Sequence, residues 1–473
     1  MSRKGDIPKE LEQHLGELQR KLREKKIPLL IIFEGPSAAG RGRFISALIQ
    51  LFDSRGYRLI TASLLSESVN RIFFQKYWLY TPEAGRIAIY ERSYYGELVE
   101  SGYKKSGMTI RWIKDFEKTL AANGTAILKI YLEISKKEQK KRLKKLEKNK
   151  NTRWRVSNED WKQNKNFADY TDVMDNLISE TSTSYAPWLR INANDLKTAR
   201  RELLEKTAEF MDSLVKEYSA KNANIYKTSD DIKEEKISLD DIDLSLSLSR
   251  EEYKNRLDGL QEDLLHLELK AYRKRLPVII VFEGCDAAGK GGAIRRLIQG
   301  LDPRGVDVIP VSAPDKMELS HHYLWRFWKN FPKKGHFVIF DRSWYGRVLV
   351  ERVEGFCDVS DWRRAYDEIN EMEYCLYGSG ALICKFWLQI SPEEQLRRFR
   401  ERETNEYKKW KITEEDWRNR EKWKEYKVAA EEMLYRTNTS YAPWTIVEAE
   451  SKLFSRIKII STVVKNLKDK LKN

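Results

Sequence analysis

Residues 284–292, with the sequence GCDAAGKGG, have the composition of a loop that binds phosphate. Gly284, Gly289 and Lys290 have the spacing of a P-loop, G-x4-G-K. In such a loop the backbone N–H groups and the positive end of the next helix converge on an anion, and the lysine reaches the transferred phosphate. The predicted phosphate-binding loop also includes Ala287, Ala288, Gly291 and Gly292. These residues predict phosphoryl-transfer chemistry.

Two aspartates are candidate metal ligands. A P-loop lysine is usually followed by Ser or Thr, which binds magnesium, but here Gly291 follows Lys290. Asp286 lies inside the loop, and Asp341 ends the apolar run FVIFD. Because the carboxyl ends of neighbouring strands meet at one sheet edge, these carboxylates could hold Mg²⁺, or Mn²⁺, bridging phosphates. Taken alone, Asp341 could instead cap a helix.

Positive charge follows directly after Asp341, in the segment DRSWYGRVLVER. Arg342 and Arg347 could orient and neutralise phosphates through bidentate hydrogen bonds, and we predict that both are catalytic. Glu351 lies one turn further on and is, with Arg342, a candidate nucleotide contact. The alternative for these arginines is a set of surface salt bridges.

The elements that must position these residues alternate between strands and helices. Short apolar runs occur at 277–284, 307–312, 336–341, 382–391 and 445–449. Apolar residues after the loop recur with helical periodicity, so strand, glycine loop and helix follow in order. This spacing is typical of βαβ units and predicts an α/β fold with a parallel five-stranded sheet flanked by helices.

The chain repeats itself. Residues 29–56 match 278–305 without a gap, 85–96 match 335–346, and TSTSYAPW at 181–188 matches TNTSYAPW at 437–444. This order indicates a tandem duplication of a whole P-loop kinase-like domain. We predict one domain over residues 1–220, a polar linker over 221–249 and a second domain over 250–473, with a helical lid at about 391–436.

The first copy has lost the residues assigned to chemistry. The replacements are Asp286 by Ser37, Lys290 by Arg41, Asp341 by Glu91, Arg347 by Glu97 and Glu351 by Ser101. An arginine is larger than a lysine and spreads its charge, and Glu97 puts negative charge where the second copy has positive charge. We therefore predict that the first domain is folded but catalytically silent, and that it acts as a pseudo-dimer partner or a basic surface.

The net charge of +15 favours a polyanionic partner. The charged N-terminus does not resemble a signal peptide, and no apolar run is long enough to span a membrane, so we expect a soluble cytoplasmic protein without membrane contact. Four cysteines without CxxC spacing support neither a disulfide framework nor a zinc site. Residues 397–426 are rich in Arg, Lys and Trp and form either a solvated helical pair or a lid that closes over phosphates.

The combination of the loop at 284–292, DRSWYGRVLVERVEG at 341–355 and TSYAPW at 439–444 resembles the second family of polyphosphate kinases. The resemblance extends over residues 250–473 and, more loosely, 10–215. It implies Mg²⁺ on Asp286 and Asp341, and polyphosphate phosphates on Lys290, Arg342 and Arg347. A fused pair of domains resembles the subgroup that transfers phosphate from inorganic polyphosphate to AMP, giving ADP reversibly.

Two other functions remain open at this point. An ATP-dependent nucleoside monophosphate kinase of the thymidylate-kinase type would share the loop, the Asp-Arg pair and a basic lid. A non-catalytic protein that binds nucleic acid or another polyanion would use the charge and the aromatic residues. Against nucleic acid, tryptophans recur at matching positions of both copies, as Trp161 and Trp417 do, which favours packing. The sequence leaves AMP against ADP as acceptor, and homo-oligomerisation, undecided.

Overall fold

The structure is a computed structural model that describes residues 8–61, 64–65, 71–100, 110–217, 237–407 and 409–472. The chain divides into two compact units. One comprises Met1–Val69, Lys76–Tyr226 and Lys316–His322, and the other comprises Asn70–Gln75, Lys227–Asp315 and Tyr323–Asn473. Each unit contains one five-stranded sheet. Residues 221–236 of the predicted linker, and Ser101, lie outside the described residues.

The strands of the first repeat are β1 (Leu29–Glu34), β2 (Tyr57–Thr61), β3 (Ile87–Glu91), β4 (Ala126–Glu133) and β5 (Trp188–Asn192). Its helices are α1 (Lys9–Glu24), α2 (Arg41–Ile49), α3 (Gln75–Trp78), α4 (Tyr94–Glu100), α5 (Ile110–Ala122), α6 (Lys136–Lys148), α7 (Asn158–Lys165), α8 (Phe167–Thr181) and α9 (Leu196–Glu217). Short 3₁₀ turns occur at Ser54–Gly56 and Arg153–Arg155.

The strands of the second repeat are β6 (Val278–Gly284), β7 (Val306–Pro310), β8 (Phe337–Asp341), β9 (Leu382–Gln389) and β10 (Trp444–Glu448). Its helices are α10 (Arg250–Arg273), α11 (Lys290–Ile298), α12 (Lys316–Leu319), α13 (Trp325–Trp328), α14 (Val350–Val353), α15 (Val359–Gly378), α16 (Pro392–Thr404), α17 (Glu414–Glu421), α18 (Trp423–Arg436) and α19 (Lys452–Lys472). Short 3₁₀ turns occur at Leu239–Asp241, Trp344–Arg347 and Lys409–Lys411.

Both sheets are parallel and have the same strand order, β2-β3-β1-β4-β5 in the first repeat and β7-β8-β6-β9-β10 in the second. The central strands β1 and β6 are buried along nearly their whole length because helices cover both faces, as expected for runs such as VIIVFE. The fold predicted from the sequence, two parallel five-stranded α/β domains, is therefore confirmed. The carboxyl ends of β6 and β8, with the predicted loop and Asp341, lie at one sheet edge.

A buried lysine explains why the sequence near SYAPW recurs in both repeats. Lys385 on β9 is fully buried and donates hydrogen bonds of 2.8 Å each to Glu373, the Tyr345 hydroxyl and the Thr437 carbonyl oxygen. The ring of Trp444 lies 5.0 Å from its ammonium group. The first repeat has the same arrangement with Lys129, Glu117, Tyr95, Thr181 and Trp188. The shared motif thus satisfies a charge that would be costly to bury alone.

Within the described residues, no helix combines the length and the apolar character needed to cross a lipid bilayer.

Candidate active site

The glycine loop is shaped by backbone conformations that only glycine adopts easily. Gly284 has φ +137°, and a Cβ atom there would lie 2.4 Å from the carbonyl oxygen of Leu388 on β9. Gly289 has φ +110° and immediately precedes α11. The loop therefore runs tightly against the sheet and turns into the amino end of α11, where helix N–H groups favour an anion. The strand-loop-helix order predicted from the sequence is confirmed.

Lys290 lies against the loop that precedes it. Its ammonium group donates to the carbonyl oxygen of Gly284 at 2.7 Å and to that of Cys285 at 3.2 Å. Arg398, on the predicted lid helix α16, donates to the carbonyl oxygens of Ala287 and Ala288 at 2.9 Å each. Its side chain is 3% exposed, so Arg398 holds the loop in place and is not presented to solvent as a phosphate ligand.

Asp286, in the glycine loop, contacts a residue that follows β8 and a residue of the lid helix α17. Arg342 donates to Asp286 Oδ1 at 2.8 Å, and Asn419 on α17 donates to Oδ2 at 3.0 Å. Burial alone would raise the pKa of the Asp286 carboxyl. The charges of Lys290 and Arg342, with the hydrogen bond from Asn419, hold that pKa below its usual range instead. Asp286 is therefore ionised at neutral pH.

Asp341, at the end of β8, lies beside the first turn of α11. A Cβ atom built on Gly291 would be 3.9 Å from Asp341 Oδ2, an ordinary contact distance, so the carboxylate lies next to the start of α11. Within the described residues this carboxylate makes no hydrogen bond or ion pair, and no group of three or more acidic, histidine or cysteine side chains is placed to hold a metal ion. Magnesium typically uses one or two protein carboxylates and completes its shell with water and substrate phosphates, so two carboxylates are sufficient in number, and their role as metal ligands stays a prediction.

Arg342 is held in a backbone conformation that is uncommon for a residue with a side chain. Its φ is +65°, and its backbone N–H donates to Phe282 at 3.0 Å. The next residue, Ser343, donates its hydroxyl to Glu283 at 2.8 Å beneath the loop. Burial raises the pKa of Glu283, although the charge of Lys290 opposes this. This backbone conformation starts the Arg342 side chain at the end of β8, and the hydrogen bond to Asp286 holds its guanidinium.

Arg347 and Glu351 lie together, but apart from the loop residues. Arg347 pairs with Glu351 at 3.1 Å, and its guanidinium carbon lies 4.5 Å from the ring centre of Tyr323. Burial raises the pKa of Glu351, although the charge of Arg347 opposes this. Neither residue is among those lining the cavity described next. The predicted roles of Arg347 on phosphate and of Glu351 on nucleotide stay predictions.

A cavity opens beside the loop and is bounded on its far side by the lid helices. Its polar lining includes Asp286, Arg342 and Asn419 from the site itself, with Glu283, Gln389, Gln395 and Lys427. The rest of the wall is formed by Leu239, Gly284, Cys285, Gly346, Leu349, Val350, Trp387, Trp423 and Tyr426. The cavity therefore combines charged groups of both signs with apolar and aromatic side chains, a combination suited to a small polar ligand such as a nucleotide.

Basic residues of the lid form ion pairs with acids. Arg418 Nε and Lys422 Nζ lie 3.2 and 3.1 Å from Glu354 Oε2, and the Glu354 side chain is 5% exposed. Arg420 donates to the Pro392 carbonyl oxygen at 2.7 Å and to Gln395 at 3.1 Å. These contacts attach residues 418–422 to the rest of the domain, and the lid role of residues 397–426 stays a prediction.

In the first repeat the corresponding loop is occupied by the protein's own side chains. Arg41, in place of Lys290, donates to the Gly35 carbonyl oxygen, and the backbone N–H of Ser37 donates to Gln163 at 2.7 Å. Arg92, in place of Arg342, pairs with Glu100. Thus Arg41, Arg92 and the backbone N–H of Ser37 each have a partner within this repeat.

Sequence reasoning missed several residues of the second site. Asn419, Gln395, Arg398 and Glu283 contact the loop or support it. A usable signal existed for the lid residues, because Gln139 and Arg142 occupy the positions of Gln395 and Arg398 in the first repeat and make matching bonds. Residues that are identical in both repeats and contact the loop in both are indicated to support its backbone. Asn419 gave no such signal, because the first repeat has Gln163 at the matching position.

The sequence profile of the Polyphosphate kinase 2 (PPK2) family matches residues 4–219 and 247–473, which together make up most of the chain. The chain belongs to the polyphosphate kinase 2 family. Both repeats are matched, so the tandem arrangement is one of two polyphosphate kinase 2 domains.

Several similar proteins match nearly the whole of this chain, including both repeats. A protein of Pseudomonas syringae pv. tomato named polyphosphate:AMP phosphotransferase is 39% identical over 465 residues, covering 96% of this chain and 93% of its own length. One of the same name from Pseudomonas aeruginosa is 38% identical, with 96% and 93% covered. A crystal structure assigned to polyphosphate kinase 2 from Pseudomonas aeruginosa PA01 superposes with a TM-score of 0.83 at 34% identity, covering 98% of this chain and 95% of the other.

Proposed function

We propose that this polyphosphate kinase 2 transfers the terminal phosphate of inorganic polyphosphate to AMP, forming ADP, and that the reaction is reversible. The observation that carries the proposal is the match over both repeats to relatives named for this reaction. The cavity beside the loop supports it independently, since it joins a phosphate-binding end to an apolar and aromatic wall. The net charge of +15 suits a polyanionic donor.

The chemistry is assigned to the second repeat. The amino end of α11 and Lys290 bind the terminal phosphate of polyphosphate, and Arg342 orients the transferred group. The AMP phosphate approaches from the cavity. Aligning an acceptor oxygen with the phosphorus atom and neutralising charge on the leaving chain are sufficient for catalysis of this kind, and no covalent intermediate is needed.

Asp286 and Asp341 are the residues that would hold Mg²⁺ or Mn²⁺. When bound, such an ion would neutralise phosphate charge. The lowered pKa of Asp286 keeps that carboxylate ionised for this role. We assign no general base, because an AMP phosphate is already ionised at neutral pH and can attack without losing a proton.

The first domain, residues 1–220, is proposed to be catalytically silent. Its loop carries Arg41 in place of the lysine, and Glu97 pairs with Lys76 where the second repeat has Arg347 and Arg326. Residues 221–249 are proposed as the linker and 250–473 as the catalytic domain. A cytoplasmic location stays a prediction from the sequence.

The test is a coupled assay of ADP formation from AMP and Mg²⁺ with either long-chain polyphosphate or ATP as donor. We expect turnover with polyphosphate and little with ATP. Turnover that requires ATP would replace the proposal with a nucleoside monophosphate kinase of the thymidylate-kinase type. Absence of turnover with both donors, together with tight binding of single-stranded DNA, would support a non-catalytic polyanion-binding protein.

A further inference from the structure

The short segment ahead of the second repeat forms part of the cavity wall. Residues 237–249 belong to the predicted linker, and within them Leu239–Asp241 form a 3₁₀ turn. The side chain of Leu239 is 3% exposed, and it lines the same cavity as Asp286 and Arg342. A linker that served only as a tether would have no reason to bury a leucine at an active site.

Two polar contacts attach this turn to one face of lid helix α18. The backbone N–H of Leu239 donates to Glu431 Oε1 at 2.9 Å, and Lys427 donates to Asp240. Lys427 and Glu431 are one helical turn apart and lie 3.8 Å from each other. Because α18 also contributes Trp423 and Tyr426 to the cavity, Leu239 and the lid helix form one continuous wall.

The position of Leu239 in that wall indicates which part of a ligand it meets. The residues that bind phosphate lie at the loop end, while the apolar residues that line the cavity include Leu239, Leu349, Val350 and Trp423. The phosphate of a nucleoside monophosphate must lie at the loop end for transfer, so its planar base lies among the apolar residues. Leucine contacts a base face through its methyl groups and supplies no hydrogen bond, so its contribution depends on shape.

We propose that Leu239 is a specificity-determining residue for the acceptor, and that the linker segment at residues 237–241 closes the base end of the acceptor cavity. The inference rests on the proposed function for the identity of the acceptor. It assigns to the segment between the two domains a direct part in substrate selection, which the motifs of the catalytic repeat do not provide.

The experiment compares the full-length wild type with Leu239→Ala, Leu239→Met and Leu246→Ala. Leu246 lies in the same segment, is 37% exposed and does not line the cavity, so it is the matched control. For Leu239→Ala we expect KM for AMP to rise about tenfold, the size typical of a lost apolar contact, with kcat and KM for polyphosphate unchanged. Leu239→Met, which conserves volume, should remain near wild type.

Equilibrium dialysis with AMP and with ribose 5-phosphate, both without polyphosphate, separates this inference from the proposed function. If Leu239 faces the base, Leu239→Ala weakens AMP binding and leaves ribose 5-phosphate binding unchanged. That result would stand even if wild type formed no ADP, which would refute only the reaction. Unchanged AMP affinity, equal loss for both ligands, or a parallel rise in KM for AMP and polyphosphate would each overturn the role of Leu239.

Discussion

Arg342 donates a 2.8 Å hydrogen bond to Asp286 across a separation of 56 residues in the sequence. The contact joins the glycine loop to the end of β8, and Asn419 joins the lid to the same carboxylate. Asp286 therefore receives contacts from each of the parts that must assemble around the phosphates.

Replacing the loop lysine should separate the two repeats functionally. Lys290→Ala removes a cation next to the transferred phosphate, and we expect kcat for polyphosphate-dependent ADP formation to fall by about 100-fold or more, as for other lost charge-stabilising donors. Arg41→Ala, at the matching position of the first repeat, should leave kcat unchanged. Comparable losses from the two variants would contradict a silent first domain.

Asn419 is expected to position Asp286. Asn419→Ala removes a hydrogen bond to a charged group, which costs roughly 1.5–3 kcal/mol, so kcat should fall by about tenfold or more. Tyr426 donates to Asn419 Oδ1 at 3.1 Å and thereby fixes the amide orientation, so Tyr426→Phe should give a smaller loss. The control is Gln163→Ala in the first repeat, which should retain full activity. Steady-state kinetics that show equal effects at Asn419 and Gln163 would contradict this role.

The titration of Asp286 should depend on Arg342. Because the folded-state pKa is lowered, the ionised carboxylate stabilises the native state above its ordinary pKa of about 3.9, and this contribution is lost as pH falls through the lowered value. Carboxyl ¹³C NMR with labelled aspartate, assigned through Asp286→Asn, should show titration below the ordinary range. In Arg342→Ala the pKa should rise, since a positive charge is removed while the burial remains. A pKa that does not move would show that Arg342 has no electrostatic effect there.

The buried carboxylate of Glu354 should control the mobility of the lid. Glu354→Gln removes the negative charge between Arg418 and Lys422, leaving two neighbouring cations without a counterion, so the lid should open more often. Hydrogen-deuterium exchange of residues 414–436 should become faster. Glu425→Gln, at an exposed site on lid helix α18, serves as the control. If Glu354→Gln speeds the exchange of residues 414–436 no more than Glu425→Gln does, the ion pairs of Glu354 do not control the mobility of the lid.

The strands and the loop were predictable because they depend on local pattern. The run VIIVF is apolar throughout because β6 is buried by helices on both faces. The loop glycines Gly284 and Gly289 occupy conformations that other residues rarely adopt. Comparing the two repeats strengthened the prediction of the strands and the loop, because the residues that shape the fold recur in both copies while the residues assigned to chemistry differ. Strand limits in the structure differ from the predicted limits by only a few residues.

The remaining features of the site depend on contacts between segments far apart in the sequence. Arg398 lies in the segment that the sequence marks only as rich in Arg, Lys and Trp, yet it is buried and bonded to loop carbonyl oxygens. Leu239 belonged to a segment read as a polar linker, and nothing in its local pattern marks it as a cavity residue. Periodicity reports which face of an element is buried, but not which distant segment covers it.

Arg41 in the first repeat and Lys290 in the second both donate to the carbonyl oxygen of the first loop glycine. The residues after Glu91 and Asp341 share a left-handed backbone, with φ +69° at Arg92 and +65° at Arg342. The main-chain frame of the loop thus persists without the residues that are proposed to perform transfer. An ancestral enzyme of this type could lose activity in one copy by side-chain substitution alone, and protein engineers can expect to restore it by the same route, with the backbone already in place.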